Sequence, residues 1–391
     1  MSLNIVLFYK DLSHPGGAER LVVKEWQYLS SFGHQVKLLT YRAHSEALYG
    51  MSDTLRKDLV ILDKKGLSGL IAARNWLAAH PTDWVISSSG HIDVYLLSLL
   101  TGVPYLLHIH HPLFMSFNDL DKFSFLYRKH FDSLSSSNYG AAEFRQQRES
   151  LTLSHRSRIE FRARLYLAAV KRASKVLVLS EYSRVEKRQL FGIEAICLQG
   201  AFDADIFQRY RSMSPATPPS GRSILTVARL VKDKRIDVLL RAFARFLRSF
   251  PGSRMVIVGK GPEQPALLQL AAALGISADI EILGYVEDDE LQRHYWSADI
   301  FASIDWADFR LTAFEALAAG KPVVLSNETD LDPRLMESGY VHLVPPEEDE
   351  TLRALEKAAS VPPKIDDDSL VEILRDYTWD RYFRRIESLV L

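Results

Sequence analysis

Cysteine is nearly absent from this chain, Cys197 being the only one in 391 residues. A single thiol forms no internal disulfide and has no second cysteine with which to build a zinc or iron-sulfur ligand set, which fits a reducing cytosol. Net charge is nearly absent as well. The 48 lysines and arginines against 49 aspartates and glutamates leave −1, so nothing in the total points to nucleic acid or a generally anionic partner, and any basic surface is local. Long apolar runs are missing too. The longest, Val94 to Leu107, is broken by Ser98, Thr101, Gly102 and Pro104 and falls short of the ~20 residues a spanning helix needs. The opening MSLNIVLFYK has no basic leader, and its apolar run is too short for a signal-peptide core, so it reads as a first β-strand and the protein as cytoplasmic, with attachment to a membrane surface left open.

What is present is a globular composition, 47% hydrophobic and 25% charged, on a chain too long for one ordinary core and suited to two domains of roughly 200 residues each. Short apolar strands alternate with amphipathic helices. Asn4 to Phe8, Gln35 to Thr40, Trp84 to Ser88, Tyr105 to Ile109 and Lys175 to Leu179 read as strands, and Ser180 can cap the helix that follows the last of them. A second series begins at Ile224 to Ala228 and continues through Met255 to Val258, Ile280 to Leu283, Asp299 to Ile304 and Val323 to Ser326. Alternation of this kind calls for an α/β fold made of two doubly wound parallel sheets with helices on both faces. The expected organisation is a first domain over 1–207, a Pro- and Ser-rich linker over 208–221, a second domain over 222–376, and a C-terminal helix over 377–391. The segment 114–173 interrupts the rhythm with clustered aromatics, then Ser and Gly, then an arginine-rich helical stretch. It reads either as a helical crossover with a solvated basic face or as a hairpin making peripheral membrane contact.

The stretch Ala307 to Pro322, ADFRLTAFEALAAGKP, runs a polar loop into a short helix that stops at Gly320. Loops at the C-terminal ends of strands in open α/β sheets are where ligands bind, and helix N-termini are where phosphates settle. Glu315 is therefore a candidate ligand for a nucleotide, but Thr312 and Glu315 also have the spacing of a capping box. Gly16 and Gly17 stand between a strand and a helix, where the backbone can approach phosphate closely. Arg229 and Lys234 lie in the equivalent loop of the second series and together could neutralise a diphosphate without metal. The acidic runs Asp203 to Asp205, Glu287 to Glu290 and Asp366 to Asp368 have no second ligand set beside them and are read as helix starts or polar linker, with no metal site assigned.

The motif GGAER at Gly16 to Arg20, RLVKDK at Arg229 to Lys234, the Gly-x-Gly-Pro turn at Gly259 to Pro262, and Ala307 to Pro322 occur in this order, and together they resemble the family-4 (group 1) retaining glycosyltransferases of the GT-B fold. The resemblance implies two Rossmann-like domains facing across a cleft, with a UDP- or GDP-linked sugar donor on the second and a glycan or lipid-linked acceptor on the first. It implies no cofactor beyond the donor. It assigns Arg229 and Lys234 to the diphosphate, Glu315 to the ribose, the amides of Leu311 and Thr312 to phosphate and the backbone near Val286 to the base. His110 would lie near the reacting sugar, although its position beside His108 and His111 reads equally as an ordinary core or surface histidine. Two positions depart from the pattern. Ala307 stands where the first glutamate of the family's glutamate pair falls, and Arg310 replaces the final glycine of Glu-Asp-Phe-Gly. Asp308 or Asp305 could then offer the carboxylate. Three functions follow as expectations: a glycosyltransferase in polysaccharide or glycoconjugate synthesis, a catalytically weakened scaffold on the same fold, or a nucleotide-sugar epimerase.

Overall fold

The structure is a computed structural model that describes residues 2–12, 17–44, 53–110, 153–212, 221–307 and 309–391. It divides into two compact units, residues 1–199 with 379–391, and residues 200–378.

The first unit is built on a seven-stranded sheet with neighbour order β5-β3-β1-β6-β7-β8-β9, every pair parallel. Its strands are β1 (Asn4–Phe8), β3 (Gln35–Thr40), β5 (Leu59–Ile61), β6 (Trp84–Ser87), β7 (Tyr105–Ile109), β8 (Lys175–Val178) and β9 (Ile196–Cys197); β2 (Asp11–Leu12) and β4 (Arg42–Ala43) pair separately. Ile5, Val6, Leu7 and Phe8 are all buried, as a parallel strand covered on both faces requires. The covering helices are α1 (Gly17–Ser31), α2 (Asp53–Asp58), α3 (Gly66–Ala79), α4 (His91–Thr101), α5 (Leu153–Arg172) and α6 (Glu181–Phe191). Ser180 caps α6 by accepting the amide of Ser183 at 3.0 Å. Of the segment 114–173, only α5 and the residue after it fall within the described residues, and the aromatic part of the membrane-contact reading lies outside them.

The second unit carries a six-stranded parallel sheet, neighbour order β12-β11-β10-β13-β14-β15. Its strands are β10 (Ser223–Val227), β11 (Arg254–Val258), β12 (Ile280–Gly284), β13 (Ile300–Ser303), β14 (Val323–Ser326) and β15 (Val341–Val344). Counted within the unit this is the order 3-2-1-4-5-6, whose direction reverses between β10 and β13, so the carboxyl ends of those two strands form the topological switch point. Successive residues face opposite sides: Leu225, Phe301, Val323 and Leu325 enter one core, and Ile224, Ile300, Ala302 and Val324 the other.

The helices of this unit are α7 (Ile206–Ser212), α8 (Ile236–Ser249), α9 (Gln264–Leu274), α10 (Asp288–Ser297), α11 (Leu311–Ala318), α12 (Pro333–Glu337), α13 (Glu348–Ser360) and α14 (Asp367–Leu374). In α8 the buried positions Ile236, Leu239, Leu240, Phe243 and Phe246 follow the helical repeat and pack beside Ala354 and Leu355 of α13.

Two readings of the sequence change here. The stretch expected as linker from 208 begins inside α7, because Ile206 and Tyr210 are drawn into the core beside Phe202 and Phe314. Asp366, read as part of a polar linker, is the N-cap of α14 and accepts the amide of Ser369 at 2.8 Å. The last helix, α15 (Trp379–Val390), belongs to the first unit. There Phe383 stacks on Tyr28 at 5.2 Å, and the Tyr382 hydroxyl hydrogen-bonds with His108 Nε2 at 2.7 Å.

Candidate functional site

The loop after β10 carries Arg229 and Lys234, and the loop after β13 carries Asp305 and Arg310, so the switch point of the second sheet holds both sets. The first loop closes in a 3-10 turn at Lys232–Lys234. Arg235 follows with φ 49°, a left-handed conformation that a non-glycine residue adopts at a cost of about 1–2 kcal/mol. The Gly-x-Gly-Pro turn after β11 braces this loop from below. Leu230 donates its amide to the Lys260 carbonyl and accepts from Glu263, both at 3.0 Å. A side chain at Gly261 would place its Cβ 2.2 Å from the Leu230 carbonyl oxygen. The glycines are there because two backbones meet.

Lys234 forms a close ion pair with Asp305 Oδ2. The other carboxylate oxygen of Asp305 accepts from Ser303 Oγ at 2.6 Å and lies 3.4 Å from Arg310 Nε. Arg310 is 5% exposed and donates Nη1 to the Ser303 carbonyl at 2.9 Å. Arg235 pairs with buried Glu328 at 2.6 Å and donates to the Ile304 carbonyl. Among the described residues of this cluster, three cations thus face two carboxylates. Burial alone would raise the Asp305 carboxyl, but Arg310 and Lys234 beside it, with hydrogen bonds from Lys234 and Ser303, bring it below its ordinary value. Burial also pulls the Arg310 guanidinium down, against the opposing pull of Asp305 and Glu328.

Helix α11 starts at this loop. Arg310, its N-cap, has φ −111°, so the position does not need glycine and an arginine fits without backbone strain. The capping-box reading of Thr312 and Glu315 does not hold: both lie inside the helix, and no side chain caps its first amides. Glu315 instead accepts from Tyr295 Oη at 2.9 Å and is 8% exposed. Its charge, after burial, helps to push the nearby Tyr210 hydroxyl above its ordinary range. Glu315 is therefore a carboxylate fixed by the core, with the helix holding Leu311 and Thr312 half-buried one turn ahead.

The loop between the strand and α11 is itself fixed. Ala307 bridges to Thr329, whose Oγ1 donates to the Ala307 carbonyl at 3.1 Å, and Phe309 packs against Gly200 and, at 4.6 Å, against Phe314. Asp308 lies outside the described residues, as does Gly16. Asp305, named as an alternative carboxylate for a sugar, is committed to cations and Ser303 on both oxygens. Arg229 is exposed, and Val286 is a half-buried residue packed on the core beyond β12. In the first unit Gly17 opens α1. His110 is buried at the end of β7, its ring 4.5 Å from that of His108. Burial pushes His108 down to about 3, so His108 is neutral at physiological pH.

Arg235 and Glu328 were not singled out from the sequence. Arg235 follows Lys234 directly, and a basic residue closing a strand-end turn was the available signal; Glu328 stands in a stretch with no motif and is recognisable only once β14 brings it beside Arg235. Asp205, in the Asp-x-Asp spacing, pairs with Arg209 at 2.7 Å one helical turn on.

Residues 213–370 match the family described as Glycosyl transferases group 1. Over 109 residues the chain is 37% identical to alpha-monoglucosyldiacylglycerol synthase of Acholeplasma laidlawii, covering 28% of this chain and 27% of that protein, so the match spans about a quarter of the relative's length. In structure it is similar to sucrose-phosphate synthase from Thermosynechococcus elongatus, with TM-score 0.74 and 15% identity over 99% of this chain and 98% of that one. It is also similar to Anabaena HepE in complex with UDP, with TM-score 0.70 and 16% identity over 99% of each chain. At this identity the shared property is the fold. The family match is thus confined to residues 213–370, and the two parallel-sheet units are those of the GT-B fold.

Proposed function

We propose that this protein is a retaining glycosyltransferase that takes a sugar from a UDP- or GDP-linked donor and places it on a glycan or lipid-linked acceptor. The observation that carries this reading is the cluster of Lys234, Arg235 and Arg310 around Asp305 and Glu328 at the switch point, next to the start of α11. Lys234 and exposed Arg229 would bind the diphosphate and stabilise its departure, the electrostatic task that a metal performs in other sites. The first amides of α11, at Leu311 and Thr312, would add donors for phosphate. Glu315, held by Tyr295, would accept from the ribose hydroxyls, and the backbone at Val286 would meet the base. His110 is assigned to the reacting sugar, Gly16 and Gly17 to the donor phosphate, and Asp308 to the donor sugar. The Acholeplasma relative is named for a glycolipid product, and HepE was solved with UDP; both support a nucleotide-linked donor and a lipid-linked acceptor here. We assign the protein to the cytoplasm, at the inner face of a membrane where the acceptor is a lipid. No helix among the described residues is long and apolar enough to cross a membrane.

A second reading is a nucleotide-binding scaffold without transfer activity. Ala307 and the buried Arg310 favour it, since Ala307 stands where the resemblance places a glutamate and Arg310 where it places a glycine. One experiment separates the two. Binding of UDP, GDP and ADP is measured by calorimetry, followed by hydrolysis of the matching sugar donors with EDTA present. Binding with turnover is the expected result; binding without turnover on any donor sugar leaves the scaffold, and no binding at all removes both.

A further inference from the structure

Asp305 has the acidity and the location of a group that contacts substrate, but its geometry turns it elsewhere. It is 3% exposed. Oδ2 is taken by Lys234, Oδ1 by Ser303 Oγ and the Arg310 guanidinium, and the backbone carbonyl by Ser326 Oγ at 2.9 Å. Both carboxylate oxygens are thus engaged, and burial closes the group to a sugar hydroxyl in this arrangement. Lys234 is different. Its side chain remains 28% exposed, and an ammonium has three donors, of which Asp305 takes one. The remaining donors lie at the carboxyl end of β10, where an anion at the switch point would sit. Arg310 compensates the buried charge of Asp305 and ties it to the end of β13 through the Ser303 carbonyl.

We propose that Asp305 and Arg310 are positioning residues that preset the Lys234 ammonium for the diphosphate of the donor. The assignment rests on the glycosyltransferase reading above and adds to it the means by which this chain orients its lysine. A lysine is a flexible point charge, and fixing it in advance removes rotamer entropy that binding would otherwise have to overcome. The opposite effect is also physically coherent: Asp305 could compete with the diphosphate for Lys234, as a fixed carboxylate that holds the site shut. The two effects have opposite signs when the charge on Asp305 is removed. Simple charge counting says that Asp305→Asn makes the cluster more positive and tightens anion binding, whereas positioning says that the same change loosens it.

The test compares the nucleoside diphosphate that binds, out of UDP, GDP and ADP, with its own monophosphate, by calorimetry on the full chain. Asp305→Asn is expected to weaken the diphosphate roughly tenfold while moving the monophosphate by less than about threefold. In a Lys234→Ala background the same change is expected to add nothing, because the interaction it acts through is gone. Arg310→Lys, which keeps the charge and loses the fork, serves as the second variant if Asp305→Asn fails to fold. It is expected to fall between the wild type and Asp305→Asn. Tighter or unchanged diphosphate binding in Asp305→Asn overturns the positioning role, and so do equal losses for both nucleotides or losses that add to those of Lys234→Ala. If the wild type binds a diphosphate, any of those results leaves the functional reading standing; if the wild type binds no nucleotide, the functional reading falls first.

Discussion

Glu25 of α1 is fully buried, its Oε1 has no hydrogen-bond partner among the described residues, and burial pushes its carboxyl up to about 8. A carboxyl whose pKa is raised on folding contributes stability that is complete below its unfolded value, about 4.3, and is lost as pH rises to the folded value. The loss has a slope of at most about 1.4 kcal/mol per pH unit. Glu25→Gln is therefore expected to match the wild type in denaturant midpoint near pH 4 and to exceed it by a growing margin up to pH 8; an equal offset at both pH values would contradict the assignment. Glu315 is the contrasting case, a buried carboxylate with a fixed partner. Glu315→Ala removes the group assigned to the ribose and is expected to weaken nucleotide binding tenfold or more, about 1.4 kcal/mol, with Tyr295→Phe losing less because only the anchor is removed. A Glu315→Ala protein that binds nucleotide as the wild type does would end the ribose role. Both carboxylates show what sequence withholds at this scale. Glu315 was legible as a candidate because it follows a strand-end loop, but the competing cap could be dismissed only by seeing that the helix begins at Leu311 and that Tyr295 reaches the carboxylate from another helix. Glu25 lies in an amphipathic pattern and reads as an ordinary helix glutamate until the packing around it is known.

At the scale of elements, the strands that were read match nearly to the residue, because buried parallel strands are short runs of branched apolar residues ended by glycine or polar loops, whereas the edge strands β5, β9 and β15 were not read. Boundaries failed where tertiary packing outweighed local composition. The later part of α7, from 208, carries a sequence that looks like linker, yet Ile206 and Tyr210 are pulled into the core. The run Asp366 to Asp368 looks like linker and is a helix start, because an aspartate at the N-cap and two in the first turn satisfy amides and favour the dipole. The turn at Gly259 to Pro262 was read only as a motif turn after a strand, and the contacts give it a task, which is to support the Arg229 to Lys234 loop. That makes a direct prediction. Gly261→Ala would drive a Cβ to within 2.2 Å of the Leu230 carbonyl and is expected to cost about 3 kcal/mol, displacing the loop and weakening nucleotide binding with it. Gly275→Ala is the control: nothing lies within 4 Å, and only its φ of +72° opposes a side chain, so a loss of about 1 kcal/mol with unchanged nucleotide affinity is expected. Thermal unfolding and calorimetry on the two variants distinguish a steric from a purely conformational requirement.

For the molecule as a whole, the chain order and the unit order differ. Residues 200–378 form one unit, and the chain then returns residues 379–391 to the unit formed by its first 199. Helix α15 buries Trp379, Tyr382, Phe383, Ile386 and Val390, a gross apolar contribution on the order of 10 kcal/mol before the ordering entropy is subtracted. Its polar contacts, His34 to Glu387 at 3.1 Å and Tyr382 to His108, also fall within the first unit. The proposed donor groups Arg229, Lys234, Leu311, Thr312 and Glu315 all fall within the second. Truncation after Thr378 should therefore separate the two functions of the chain. The first unit is expected to lose most of its stability, since Tyr28 and His108 are left against water or a void. The second keeps its sheet, both of its cores and the cationic cluster. In calorimetric unfolding the truncated protein should show one transition shifted down by many degrees or lost, and a second whose midpoint still rises with added nucleoside diphosphate, because ligand stabilises only the state it binds. If the nucleotide-dependent transition disappears together with the other, the second unit does not hold the donor site by itself, and groups from the first unit have to be counted as part of nucleotide binding.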